Sequence, residues 1–139
     1  MNPQPPAGYA VDASALLALL LQEPGHDAVE AVLGGAFIHC VNVAEAIGKL
    51  VRSGVPRPEA ESAIQDLGIP LAGQFPAVQA GLCGELLANT RRLGLSLGDC
   101  VCLTSAAMAG AVALTADRAW QSLEGTLIGS AEIRVATIR

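Results

Sequence analysis

The sequence predicts an α/β fold: a central, mostly parallel sheet of about five strands with helices on both faces, built by residues 1–139 as one domain. Three observations lead there. Short runs of strand formers alternate with segments whose apolar residues recur at helical spacing. Glycine and proline punctuate nearly every junction between them. Four carboxylates, Asp12, Glu45, Asp99 and Asp117, each fall where a strand should end or a helix should begin, and those positions share one edge of a parallel sheet.

Residues 9–12 form a short buried strand. Ser14 is placed to cap a helix over residues 15–22, which Pro24 and Gly25 stop. A second short helix over 27–33 ends at Gly34 and Gly35, where left-handed backbone angles are easiest. Residues 36–40 are strand formers. Asn42 opens a helix to Ser53, with Val43, Ile47, Leu50 and Val51 on one face. Pro58 suits the first turn of another helix, which runs to Leu67. Residues 69–71 are a third strand, and Pro70 assigns it to a sheet edge because it lacks a ladder donor.

Residues 77–92 are helical, with Val78, Leu82, Leu86 and Leu87 in register. Residues 97–109 form an almost wholly apolar helix, which must be packed on more than one side. A fourth strand (112–115), a short helix (117–123) and a final strand (133–138) complete the chain. The uncharged run 100–116 reaches the minimum spanning length of ~17 residues, but Gly110 interrupts it and acids bound it. A buried helix followed by a buried strand accounts for it, so no membrane segment is expected.

The chain is 52% hydrophobic and 15% charged, which excludes a disordered protein. Aromatics make up only 3%, so Ala, Leu and Val must fill the core. A net charge of −5 argues against nucleic-acid binding through a broad basic face. Neutralising the four acids named above would bring the remainder close to zero. Cys40, Cys83, Cys100 and Cys102 lack zinc-ligand spacing. Residues 1–9 carry no basic residue and so no export signal. The cysteines are therefore expected to be reduced, mostly buried thiols of a cytoplasmic protein.

Topology should gather the acids. Asp12 ends the first strand, and Glu45 is expected in the first turn of the helix after the second. Asp99 starts the helix before the fourth strand, and Asp117 follows that strand. Each residue alone has an ordinary reading: Asn42-x-x-Glu45 and Ser96-x-x-Asp99 both have the form of a capping box. Together they would form an anionic pocket whose mutual repulsion a hard divalent cation relieves. All-oxygen ligation selects Mg²⁺ or Mn²⁺, and such an ion can activate a water for in-line attack on a phosphodiester. His26 and His39 are read as structural.

Four motifs carry a family resemblance: Val11-Asp12-Ala13-Ser14, Val41-Asn42-Val43-Ala44-Glu45, Thr90-Arg91 through Ser96-Leu97-Gly98-Asp99, and Leu114-Thr115-Ala116-Asp117. In this order they resemble PIN-domain ribonucleases, and more closely the VapC toxins of bacterial toxin–antitoxin pairs. The resemblance implies a PIN-like three-layer domain. It also implies a Mg²⁺- or Mn²⁺-dependent endoribonuclease toxin acting on tRNA, rRNA or mRNA. Such a toxin is inhibited by a cognate VapB-type antitoxin and is expected as a homodimer.

By that resemblance Asp12, Glu45, Asp99 and Asp117 are the catalytic, metal-binding quartet. Asp12 and Asp99 would ligate directly, and Glu45 and Asp117 through water. Thr115 and Ser14 would orient the site, and Arg91 would contact a substrate phosphate. Two departures concern substrate grip: Cys100 stands where the family often has a basic residue, and Leu87-Ala88 where another basic residue is usual.

Apolar faces on helices 15–22 and 60–67 are candidates for an antitoxin groove, unless the core or a homodimer covers them. Two other classes compete. A receiver-type phosphotransfer domain would want a lysine near the phosphoryl group, and the sequence offers only Lys49, one turn past Glu45. A PIN-like scaffold that binds a partner without cleaving anything would have no reason to hold four repelling acids together.

Overall fold

In the computed structural model residues 8–139 are described. Strand β1 (Tyr9–Val11) lies at the centre of a five-stranded sheet whose four pairings are all parallel. On one side it pairs with β2 (Ala36–His39), and β2 pairs with β3 (Leu71–Ala72) at the edge. On the other side it pairs with β4 (Val112–Thr115). The chain thus builds outward from β1 in one direction and then returns to its other flank. That makes the carboxyl ends of β1 and β4 the topological switch point of the sheet, where open α/β folds bind their ligands.

Helices cover both faces. Successive strand residues point to opposite sides, so Val11 and Leu114 join one apolar cluster while Ala10 and Ala113 join the other. The first cluster packs α1 (Ala13–Leu21), α2 (His26–Val32), α3 (Cys40–Arg52) and α4 (Arg57–Asp66). The second packs α5 (Ala77–Asn89) and α6 (Leu97–Met108). Helix α6 is buried from Cys100 to Ala107, as its largely apolar sequence requires. Among the described residues no helix is long and apolar enough to cross a membrane.

Several boundaries differ from the sequence-based expectation for identifiable reasons. Helix α1 starts at Ala13 because Asp12, not Ser14, is its cap: the Asp12 carboxylate accepts the Ala15 N–H at 2.8 Å. Helix α3 starts at Cys40, with His39 Nδ1 accepting the Val41 N–H. Asn42 therefore lies inside the helix, and Glu45 falls in its second turn, not its first. Helix α5 stops at Asn89, with Arg91–Leu93 a tighter 3-10 turn. Strand β3 sits at the sheet edge, as Pro70 required.

The expected last strand, 133–138, is present but shorter, and an unexpected hairpin precedes it. A small antiparallel hairpin joins β5 (Leu127–Ile128) to β6 (Ala131–Glu132), and only β7 (Val135–Thr137) pairs with β4. Gly129, at φ +59°, takes the left-handed backbone that a two-residue hairpin turn needs. Helix α1 also departs from its proposed role as a groove wall: its residues Ala13 and Ala15–Leu19 are buried in the core.

The four cysteines are free, with Cys83, Cys100 and Cys102 buried and Cys40 exposed. Burial pushes the Cys100 thiol up to about 11 and raises the other two buried thiols, so all three stay protonated.

Leu103 is fully buried in α6, whereas Leu97 in its first turn is 56% exposed. Leu103→Ala should cost about 2–5 kcal/mol in urea unfolding, and Leu97→Ala less than about 0.5 kcal/mol.

Candidate functional site

At the switch point Asp12 leaves β1 and caps α1. It is 3% exposed and accepts from three donors. Its Oδ1 takes the Ala15 N–H at 2.8 Å, its Oδ2 takes the Thr115 hydroxyl at 2.6 Å, and the Ser14 hydroxyl lies within 2.9 Å of both oxygens. Thr115, at the end of β4, in turn accepts the Asp117 N–H at 3.0 Å. Ser14 accepts the Ala116 N–H at 2.9 Å. Two hydroxyls thus tie the ends of adjacent strands together across the switch point.

Burial pushes the Asp12 carboxyl up to about 6. The hydrogen bonds from Thr115, Ala15 and Ser14 oppose that shift, and the negative charge of Asp99 adds to it.

Asp99 sits in the first turn of α6 within a complete capping box: its carboxylate accepts the Ser96 N–H at 2.9 Å, and its own N–H goes to Ser96 Oγ at 3.1 Å. Asp117 caps the 3-10 turn Arg118–Leu123 by accepting the Ala119 N–H. Glu45 reaches across from α3. Its Oε1 accepts from Asn42 Nδ2 at 3.1 Å and its Oε2 from Ser96 Oγ at 3.4 Å.

Asn42 is 1% exposed and makes no capping box with Glu45; its amide also donates to the Gly98 carbonyl at 3.0 Å. A Cβ at Gly98 would overlap the Glu45 carboxylate. Glycine there, together with Asn42, lets Glu45 lie against the start of α6.

All four acids line one cavity of about 350 Å³, together with Ser14, Ser96 and Lys49. Among the described residues no three acid, histidine or cysteine side chains are closed into a ready-made cage for an ion. Each carboxylate bonds instead to a donor on or beside its own element. The donor set nonetheless fits a hard cation: carboxylates and hydroxyls, with no thiolate or imidazole lining the cavity. Mg²⁺ keeps several of its waters and needs only one or two carboxylates, which suits a cavity of this width.

Arg91 is not brought to this cavity; it lines a separate concavity of about 490 Å³ with Ala88 and Gly94. His39 caps α3, lies 3.2 Å from the Gln74 carbonyl and packs edge-on against Phe75, a structural role as expected. Sequence reasoning missed Gly98 and Asn42 as supports of Glu45, and it left the direction of Lys49 open.

A model of the PIN domain family matches residues 9–125. The chain belongs to the PIN-domain family. No curated protein matches its sequence. Among solved structures, the PIN fold of this chain is similar to a DNA-bound VapBC from Salmonella typhimurium, with TM-score 0.70 and 16% identity over 95% of this chain and 98% of that one. It is similar to VapBC2 from Rickettsia felis bound to a promoter DNA fragment, with TM-score 0.65 and 15% identity over 93% and 97%. VapBC-5 from Mycobacterium tuberculosis gives TM-score 0.62 and 17% identity over 96% and 99%. At these identities the likeness is one of fold.

Asp12 binds its proton more tightly when folded, near 6, than at its ordinary value of 3.8. Between those values the unfolded chain carries fewer protons, so stability falls as pH rises through the window. Above it the full penalty remains, at most about 3 kcal/mol. Asp12→Asn keeps a competent cap and removes the charge. In EDTA its Tm should exceed that of the parent chain at pH 8 and match it near pH 3. A scan showing no gain at pH 8 would contradict this account of the buried charge.

Proposed function

We propose that this PIN domain is a Mg²⁺- or Mn²⁺-dependent endoribonuclease toxin of the VapC type, held inactive by a cognate VapB-type antitoxin. The observation that carries the reading is the convergence of Asp12, Glu45, Asp99 and Asp117, from four separate segments, on one cavity at the switch point of the sheet. Family membership supplies the nuclease context. The structural neighbours are described as VapBC proteins, one of them as a member of the VapBC family of toxin–antitoxin systems.

In this reading Asp12 and Asp99 would hold the cation directly, and Glu45 and Asp117 would act through water. A bound divalent ion supplies water activation and charge neutralisation at the scissile phosphate. Ser14 and Thr115 fix the orientation of the Asp12 carboxylate, and Thr115 also fixes the backbone of Asp117. Asn42 and Gly98 hold Glu45 over α6.

An antitoxin segment has a place to bind. A groove of about 330 Å³ between α3 and α4 is lined by Val43, Ile47, Ile64, Ile69 and Leu71, an apolar surface suited to an amphipathic helix. Homodimer formation is proposed through the exposed apolar residues Leu71, Phe75, Val78 and Met108. Phosphotransfer is the weaker reading: Lys49 does reach the pocket, but the family is a nuclease family and the sequence has no glycine-rich phosphate loop.

The deciding experiment incubates the purified chain with total RNA in Mn²⁺ or in EDTA, beside Asp12→Asn and Asp99→Asn. Fragments should form only with the metal, and both variants should lose at least about 100-fold in rate. Cleavage that survives EDTA or both substitutions would refute the reading, and intact RNA throughout would favour a binding scaffold. Gly98→Ala should leave the fold stable, since alanine is the better helix former by about 1 kcal/mol. It should weaken Mn²⁺ binding in calorimetry by displacing Glu45.

A further inference from the structure

Lys49 is the only lysine of the chain. It follows Glu45 by four residues on α3, so the two lie on one helix face a turn apart. Helical side chains lean toward the helix N-terminus, here the carboxyl edge of the sheet, and Lys49 accordingly lines the acidic cavity.

Glu followed by Lys at this spacing is the favoured order for an ion pair. In α4 the same spacing with reversed order does pair: Arg57 lies 3.4 Å from Glu61. Lys49, with four carboxylates on the walls around it, pairs within 4 Å with none of the described acids. The reason is that Glu45 is engaged elsewhere, by Asn42 and Ser96, and is seated in the space that Gly98 leaves open. The cavity therefore presents one uncommitted ammonium beside its acids. The other cation expected to meet substrate, Arg91, faces a different concavity.

We propose that Lys49 grips the substrate backbone, its ammonium donating to a non-bridging oxygen of the phosphodiester held in the acidic cavity. The inference rests on the nuclease reading above and adds the group that offsets the anionic walls toward an anionic substrate. A lysine suits that task as a compact point charge with three donors. Its position also sets a trade-off: a cation on the wall favours phosphate and disfavours a divalent ion.

The test compares the purified chain with Lys49→Gln and Lys49→Arg. Mn²⁺ affinity is read by calorimetry without RNA, and kcat/KM is read on total RNA with one mapped fragment as reporter. Lys49→Gln should lose about 10- to 100-fold in kcat/KM, recovered in part by Lys49→Arg, with an unchanged Tm. It should bind Mn²⁺ as tightly as the parent or more tightly. Its binding to RNA in an Asp99→Asn background should show a salt slope shallower by about 0.7 to 0.9.

Normal kcat/KM for Lys49→Gln, with Asp12→Asn inactive, would overturn this inference and leave the nuclease reading standing. Weakened Mn²⁺ binding would also overturn it, by showing that the lysine only shapes the acid pocket. Failure of the parent chain to cut RNA in Mn²⁺ would remove the nuclease reading and this inference with it.

Discussion

Asp12 is a carboxylate buried at the one place in the sheet where the chain reverses its direction of growth, and the arrangement of the site follows from how that charge is accommodated. A buried carboxylate without partners is very costly. Here a backbone N–H and two hydroxyls face it, two of them from the start of α1 and one from the end of β4. Thr115 and Ser14 are thus constrained twice: each faces Asp12, and each accepts a backbone N–H from the turn after β4. Removing its acceptor oxygens altogether, as an alanine would, loosens the junction of β1, α1 and β4 together. The donors do not fully compensate the burial, since the carboxyl still sits near 6. That residual electrostatic cost gives a cation something to relieve.

The remaining acids show how a repulsive cluster is held in a folded chain. Each is anchored by local donors: Asp99 by its capping box, Asp117 by the 3-10 turn it starts, and Glu45 by Asn42. In the proposed reading, structural and functional roles coincide in these residues. A capping interaction contributes about 1 kcal/mol, enough to fix a carboxylate's direction while leaving an oxygen to face the cavity. Helix α6 is the second support, because its buried body fixes the position of Asp99 and its first turn makes room for Glu45 at Gly98.

The architecture was legible in the sequence because its signals were local. Strand runs, proline and glycine stops and the apolar period of α3 and α5 each report on their own neighbourhood, and Pro70 alone placed β3 at the edge. The four acids were legible for the same reason: strand ends and helix starts can be read without tertiary information. What was missed depends on through-space competition. Asp12 is the cap, while the Ser14 hydroxyl is engaged with Asp12, with Thr115 more than a hundred positions later and with the Ala116 N–H. Histidine's cap on α3 moved Asn42 inside the helix, where it serves Glu45. The Gly129-Ser130 turn was visible as a hairpin signal and was overlooked because the strands it joins are two residues each, too short to show alternation.

Charge distribution sets what kind of nucleic-acid binder this chain can be. With thirteen acids against eight lysines and arginines, no broad positive field steers a polyanion toward it. Cys100 and Leu87-Ala88 are neutral in the local sequence, and Arg91 faces away from the acidic cavity. Affinity must then come from few contacts made at the cavity itself. Each counterion released on binding contributes to salt dependence, so on the proposed nuclease reading a chain with so few basic groups at its cavity would recognise its substrate by shape. A structured loop that can present one phosphodiester to a narrow anionic cleft meets that demand better than an extended strand, which would need a basic track to lie along.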